Sequence, residues 1–217
     1  MKHLKLRCKS LDDLLGGGIE YNSITEVYGE PGSGKTNLCL QASRECAIKN
    51  KKVVYIFNGV FSLERLKQIC RKENYEKILS NIIFFNPQSF IEQEKIIKKT
   101  IKMKDISLIV LDTFNSFYRL MIEVDETYAG RSLNRQITDL QIASMEKDIS
   151  VIIAGQVYTT EKNDVKPFGG RIIERMVKSI IKLEKIDIGK RKATIKKHKS
   201  KTIGDNAIFK ITKHGLE

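Results

Sequence analysis

From Gly29 to Thr36 the chain reads Gly29-Glu30-Pro31-Gly32-Ser33-Gly34-Lys35-Thr36. The spacing G-x-x-x-x-G-K-[ST] is that of a phosphate-binding loop. Its glycines let the backbone wrap close to a polyphosphate with no Cβ in the way. Lys35 is expected to reach the β- and γ-phosphates, and the Thr36 hydroxyl to ligate Mg²⁺. The whole stretch is therefore a candidate site for ATP with Mg²⁺. A second chemical residue is Asp112, which ends the apolar run Ile106-Ser-Leu-Ile-Val-Leu111. A carboxylate at the C-terminal tip of a buried strand faces the ligand crevice of an open α/β sheet. There it would hold the water shell of Mg²⁺, making Thr36 and Asp112 the candidate metal residues.

These residues need a strand before the loop and a helix after it. Ser23-Ile-Thr-Glu-Val-Tyr28 reads as the strand, and Asn37 to Ala47 as a largely buried helix with Leu38, Cys39, Ala42 and Cys46 on one broad face. The helix N-terminus and the loop N–H groups then converge on the phosphates. Further strands are expected at Val53–Phe57, apolar throughout as a buried parallel strand is, and at Ile82–Phe85, Ile106–Leu111 and Ser150–Ala154. Helices fall between them. Ser10 is expected to cap one carrying Leu11, Leu14 and Leu15, and Ser62 to cap another running through Glu64, Leu66, Ile69 and Cys70. A third buries Ile91, Ile96, Ile97 and Ile101, and a long one carries Leu133, Ile137 and Leu140 after a polar segment that reaches about Gly130. Tyr158 to Gly170 reads as a polar loop. Ser179–Lys185, Arg191–Lys197 and Ala207–Thr212 alternate and are separated by turns, as an antiparallel extension would be. The class is α/β: a mainly parallel twisted sheet flanked by helices, with antiparallel C-terminal strands, in one domain spanning 1–217.

Composition narrows the partners. Of 217 residues 41% are hydrophobic, enough for a core, and the formal net charge is +13, which favours polyanions. Lys190 to Lys201 contains no acid. It reads equally as lysines protecting an edge strand and as a phosphate-backbone surface. Cys8, Cys39, Cys46 and Cys70 include no C-x-x-C pair, and His3, His198 and His214 are scattered, so neither a metal cluster nor a Ser-His-Asp triad has support. A reducing cytoplasm suits the free thiols. The N-terminus lacks a signal peptide's apolar region, and no apolar run approaches the about 20 residues of a membrane helix.

The neighbours of the loop carry a family resemblance. Ser10-Leu-Asp-Asp-Leu-Leu-Gly-Gly-Gly-Ile19, Ile24-Thr-Glu-Val-Tyr-Gly29 and Gly32-Ser-Gly-Lys-Thr-Asn-Leu38 resemble the opening of the RecA/RadA recombinase ATPase core. Leu108 to Asp112 resembles its Walker B strand, Ile152 to Val157 the strand carrying its γ-phosphate-sensing glutamine, and Asp205 to Gly215 the end of archaeal RadA. The resemblance covers essentially the whole chain. It implies catalytic roles for Lys35 and Gln156. It also implies two DNA-facing loops, one with Arg119 and Arg131, the other with Lys162, Lys166 and Arg171. The chain begins almost directly at the ATPase core, like the short archaeal paralogues of RadA. That form implies a DNA repair and recombination accessory protein, cytoplasmic and nucleoid-associated, that binds ATP and sequence-nonspecific single-stranded or branched DNA. The resemblance implies weak ATPase activity, no strand exchange, and the RadA recombinase and a Holliday-junction nuclease as partners.

Departures from the family pattern shape the chemistry. Aligning Tyr55-Ile-Phe-Asn-Gly-Val-Phe-Ser-Leu-Glu-Arg65 on the family's Ser-x-Glu-Arg puts Gly59 where a recombinase carries the glutamate that activates water. Asn58 cannot accept a proton as a carboxylate does, and Glu64 belongs to a helix first turn. Losing a positioned base costs about 10²–10⁴ in rate, so ATP binding with slow turnover is expected. No proline lies near Ile203-Gly-Asp205 to cap a neighbour's ATP, which points to a monomer or small homo-oligomer. Glu123, Asp125 and Glu126 make the first DNA loop unexpectedly acidic. The main rival reading is a KaiC-like signalling ATPase, which shares the Leu-Gly-Gly-Gly-Ile opening.

Overall fold

Strands whose alternate side chains are apolar on both faces need cover on both faces, and this chain supplies it with helices. The computed structural model describes residues 2–70, 75–161 and 164–217. Its first half runs β1 (His3–Leu4), α1 (Lys9–Leu14), β2 (Ile19–Glu20), β3 (Ser23–Tyr28), α2 (Lys35–Ala47), β4 (Lys52–Phe57), α3 (Leu63–Cys70), α4 (Tyr75–Leu79), β5 (Ile82–Phe85) and α5 (Phe90–Thr100). The second half runs β6 (Ile106–Asp112), α6 (Ser116–Ile122), α7 (Glu126–Glu146), β7 (Ser150–Gly155), β8 (Val157–Thr159), β9 (Val165–Pro167), α8 (Gly170–Met176), β10 (Ser179–Lys185), β11 (Lys190–Lys197), β12 (Asn206–Thr212) and β13 (Gly215–Leu216).

Among the described residues nine strands form one sheet in the order β13-β12-β11-β10-β3-β7-β6-β4-β5. The strands from β10 to β5 are parallel, and β11 to β13 extend the sheet antiparallel. Period-two alternation divides the core. Val27, Val53, Tyr55, Leu108, Val110, Ile152, Ile181 and Leu183 face α2 and α3. Ile24, Val54, Ile56, Ile109, Leu111, Val151, Ile153 and Ile180 face α5 and α7. Each such aliphatic side chain contributes about 1.5–3 kcal/mol on burial. The carboxyl ends of β3, β7, β6 and β4 open on one crevice edge, which brings Gly29, Gln156, Asp112 and Asn58 to the same end of the sheet.

Several local expectations are corrected. The cap of α1 is Cys8, so Ser10 lies inside the helix. In α5 the covered face includes Gln93 and Glu94, while Ile91 is exposed. The segment before Gly130 is helical: α6 lies there, and α7 begins at Glu126, where the Asp125 carboxylate accepts from Tyr128 N at 2.9 Å. Asp125 and Glu126 thus start a helix, which accounts for two of the loop's three acids, while Glu123 ends α6. The expected loop at Tyr158 to Gly170 contains the β8–β9 hairpin. Finally, β11 pairs with β10 on one side and β12 on the other, so its lysines do not guard a sheet edge.

One core group is out of place for a sheet interior. Glu26 of β3 is 1% exposed, and neither carboxyl oxygen has a hydrogen-bond partner among the described residues. Burial, with a smaller contribution from Glu174, pushes its carboxyl up to about 8 from an ordinary 4.5. The folded chain thus keeps a proton between those values that the unfolded chain releases. Stability contributed by this group therefore falls as pH rises through that window and levels off above it. We predict that Glu26→Gln removes this loss. In chemical denaturation the variant should match the wild type near pH ~4.5 and exceed it by a few kcal/mol above pH ~8. A stability difference that is constant with pH would contradict this.

Candidate nucleotide-phosphate site

The loop from Gly29 to Thr36 leaves the end of β3 and enters α2. Gly29, Gly32 and Gly34 have φ of +157°, +77° and +107°. At Gly29 a Cβ would lie 2.1 Å from the Leu183 carbonyl oxygen and 2.8 Å from Ser33 Oγ. At Gly34 it would meet Ile211 Cδ1 at 3.0 Å. Any other residue at Gly29 would collide with backbone that cannot retreat, and at Gly34 the positive φ itself disfavours a side chain. Ser33 N donates to the Glu30 carbonyl at 3.1 Å and closes the turn around exposed Pro31.

Lys35 and Thr36 open α2. The Lys35 ammonium donates to the carbonyls of Gly29 (2.7 Å) and Glu30 (3.0 Å), so its side chain folds back over the loop. Burial lowers its affinity for a proton, opposed by the charge of Asp112. Tyr55 Oη donates to Asp112 Oδ2 at 2.9 Å, and the Thr36 hydroxyl lies near enough to the Asp112 carboxylate to favour its charged form. Burial raises the Asp112 carboxyl above its ordinary range, opposed by Thr36, Tyr55 and the Lys35 charge. A hydroxyl and a carboxylate close together beside a cationic loop fit Mg²⁺, which takes few protein oxygens and keeps its water. The nucleotide and the ion would sit between Thr36, Asp112 and the loop N–H groups.

The tip of β4 carries no carboxylate. Asn58 turns away from the loop and donates through Nδ2 to Thr113 O (2.7 Å) and Ser116 Oγ (2.5 Å). Gly59 has φ +89°, and a Cβ there would meet nothing within 4 Å. Glu64 is exposed in the first turn of α3, where Arg65 N donates to the capping Ser62 Oγ at 3.1 Å. Gln156 follows β7. Its backbone is clamped by the buried side chain of Asn115, which accepts from Gln156 N at 2.7 Å and donates to the carbonyls of Gln156 and Phe168, both at 3.0 Å.

The residues assigned to DNA are partly gathered. Lys166 and Arg171 line one cleft of about 830 Å³ with Lys196, Tyr118 and Tyr158, and Glu26 lies at its floor. Arg119 is exposed, with its guanidinium 5.5 Å from the Phe168 ring centre. Arg131 is exposed on α7 and does not line the cleft. Lys162 lies outside the described residues. Glu126, Asp164 and Glu174 also line the cleft and reduce its positive field.

Reading the sequence missed three supports of the site. Arg65 donates to Asn37 Oδ1 (2.7 Å), Thr212 O (2.8 Å) and Lys213 O (3.0 Å), joining α2, α3 and the end of β12. Arg191 donates through Nε to the Gly32 carbonyl at 2.8 Å. Strand alternation was a usable signal for Arg191, which shares a parity with buried Ala193 and Ile195. Nothing in the sequence signalled Asn115, whose partners are about 40 and 50 residues away along the chain.

Comparison with known proteins agrees with this geometry. The Rad51 family model matches residues 2–217. A "DNA repair and recombination protein RadB" of Methanococcoides burtonii is 41% identical over 214 residues, covering 96% of this chain and 95% of that protein. One of Thermoplasma acidophilum is 37% identical, covering 95% and 90%. A solved structure described as "Crystal structure of the RadB recombinase" superposes with a TM-score of 0.85 at 35% identity, covering 99% of this chain and 98% of that one. The chain belongs to the Rad51 family of RecA-like proteins, and the relatives it resembles along its whole length are the archaeal RadB proteins.

Proposed function

We propose that this chain binds ATP with Mg²⁺ at Gly29–Thr36, turns it over slowly, and binds DNA as an accessory to recombination and repair. The observation that carries the first part is the geometry of the Gly29–Thr36 loop, with Lys35 folded back over it and Asp112 held by Tyr55 at the adjoining strand end. Lys35 neutralises phosphate charge, Thr36 and Asp112 hold the ion and its water, and Gln156 reports on the terminal phosphate. Slow turnover is supported by the tip of β4, where Gly59 offers no base and the Asn58 amide is held by Thr113 and Ser116. DNA binding is supported by the net charge of +13 and by Lys166, Arg171 and Lys196 around one cleft. These side chains contact phosphates and read no sequence. A RadA-type recombinase and a branched-DNA nuclease are the partners this reading assigns, with the chain itself a monomer or small homo-oligomer that performs no strand exchange. The Rad51 match favours this reading over a signalling ATPase.

Two measurements test it. Single-turnover hydrolysis of Mg²⁺-ATP should be slow in the wild type. Gly59→Glu, which has room for its side chain despite the positive φ, should speed it at least about tenfold with nucleotide affinity unchanged. A wild type as fast as a full recombinase would refute the slow-turnover assignment. For DNA, log K should fall linearly with log[salt], by about 0.7–0.9 per phosphate contact, and Lys166→Ala with Arg171→Ala should flatten the slope by about two contacts. Salt-independent affinity would sink the phosphate-contact assignment.

A further inference from the structure

The basic run from Lys190 to Lys201 is not one surface. Alternation along β11 sends Ala193 and Ile195 into the core beneath α2, and Arg191 shares their side. Lys190, Lys192 and Lys196 lie on the opposite face. Arg191 thus points at the phosphate-binding loop while its neighbours point away from it. Its Nε donates to the Gly32 carbonyl at 2.8 Å, and Nη1 donates to the carbonyls of Lys190 (2.9 Å) and Asp187 (3.2 Å) in its own hairpin turn. The guanidinium is therefore fixed to β11 at one end and to the loop at the other.

Two further contacts come from the same strands. The Leu183 carbonyl of β10 closes on Gly29, and Ile211 and Phe209 of β12 close on Gly34. Each of the loop's three glycines is backed by a different C-terminal strand: parallel β10, then β11 and β12 of the antiparallel extension. At Gly29 and Gly34 that backing is steric. At Gly32, where a Cβ would meet nothing within 4 Å, it is the hydrogen bond from Arg191. A trans peptide carbonyl held outward turns the N–H of the same peptide, that of Ser33, to the inner side of the turn, where its bond to the Glu30 carbonyl closes the loop that a phosphate would enter.

We infer that Arg191 is a positioning residue for nucleotide binding, holding the Gly32 peptide so that the loop N–H groups are set before the phosphates arrive. This rests on the reading of Gly29–Thr36 as a nucleotide site. A hydrogen bond from a charged donor sets the scale of the effect, about tenfold in affinity. Because Arg191 acts on the loop, ATP and ADP should lose equally.

The test is titration of a fluorescent ATP derivative, and of ATP and ADP by competition, on the full chain with unfolding midpoints measured alongside. Arg191→Ala and Arg191→Met, the second keeping the aliphatic stem, should each bind both nucleotides about tenfold more weakly at a near-normal midpoint. Arg191→Lys keeps a donor for the Gly32 carbonyl and should recover most of the loss. Lys192→Ala, on the other face, should bind as the wild type does. Unchanged affinity in both Arg191→Ala and Arg191→Met overturns the inference, as does an equal loss in Lys192→Ala, which would indicate only a general cationic field. Arg191→Lys as weak as Arg191→Ala also overturns it. A wild type that binds no nucleotide brings down the site reading beneath it, whereas normal wild-type binding with an indifferent Arg191 brings down this inference alone.

Discussion

The Leu183 carbonyl lies where any side chain at Gly29 would have to begin, and the phosphate-binding loop takes its shape from that contact. A loop whose N–H groups must converge inward has few internal contacts to hold it. Here the holding comes from outside. β10 runs beside β3 in parallel register, Ile181 opposite Val27 and Lys182 opposite Tyr28, which carries Leu183 up to Gly29. The end of the chain is tied to the same helix that begins with Lys35. Gln41 of α2 donates to the carbonyls of Leu6 (2.7 Å) and Leu216 (3.1 Å) and accepts from Leu216 N at 2.6 Å. A buried amide with all these partners fixes where α2 starts and hence where Lys35 and Thr36 stand.

A second arrangement radiates from the tip of β6. Asp112 lies near Thr36 and accepts from Tyr55 on the loop side. One residue on, the Thr113 carbonyl accepts from Asn58, and three residues on, Asn115 holds Gln156 and Phe168 at the two ends of the β8–β9 hairpin. Below them Gln93 donates to Phe114 O (3.0 Å) and Gln136 Oε1 (2.9 Å), both contacts buried. Polar groups in a low-dielectric interior are costly unless paired, and this chain pairs most of them across four elements. The segment after Asp112 is thereby joined to the β4 tip, to the end of β7 and to α5 and α7. The α5 face turned to this segment buries Gln93 and Glu94, and Ile91 lies on the exposed side of the same helix.

Charge is sorted by the same geometry. Strand alternation splits the basic run of β11, with Arg191 on the loop side and the lysines on the open face of the sheet. Two of the acids that seemed misplaced in a DNA-facing loop sit at the start of α7, where Asp125 satisfies an orphan N–H group and Glu126 complements the helix dipole. The acids that remain in the cleft, Glu126, Asp164 and Glu174, stand among Lys166, Arg171 and Lys196. Net charge alone therefore overstates how positive that surface is.

The sequence by itself determined the loop from Gly29 to Thr36, the placement of Asp112 at a strand end and the sheet. Each depends on local chemistry: glycines where φ is positive, apolar runs that read as buried strands, and a carboxylate ending one of them. The strands Ser23–Tyr28, Ile82–Phe85 and Ser179–Lys185 were legible to the residue for that reason. That no carboxylate stands at Asn58 or Gly59 was legible too, because it is a matter of residue type. Tertiary structure alone decided what holds these parts. Whether Lys190–Lys197 is an edge or an inner strand depends on its pairing with β10 on one side and β12 on the other, which the pattern of its own residues does not state. The roles of Gln41, Asn115 and Arg191 are hydrogen bonds over separations of 35 to 175, 41 to 53 and 159 residues, and no local pattern encodes a partner at that range. The chemistry is written in short motifs, whereas their positioning arises only when distant strands pack together.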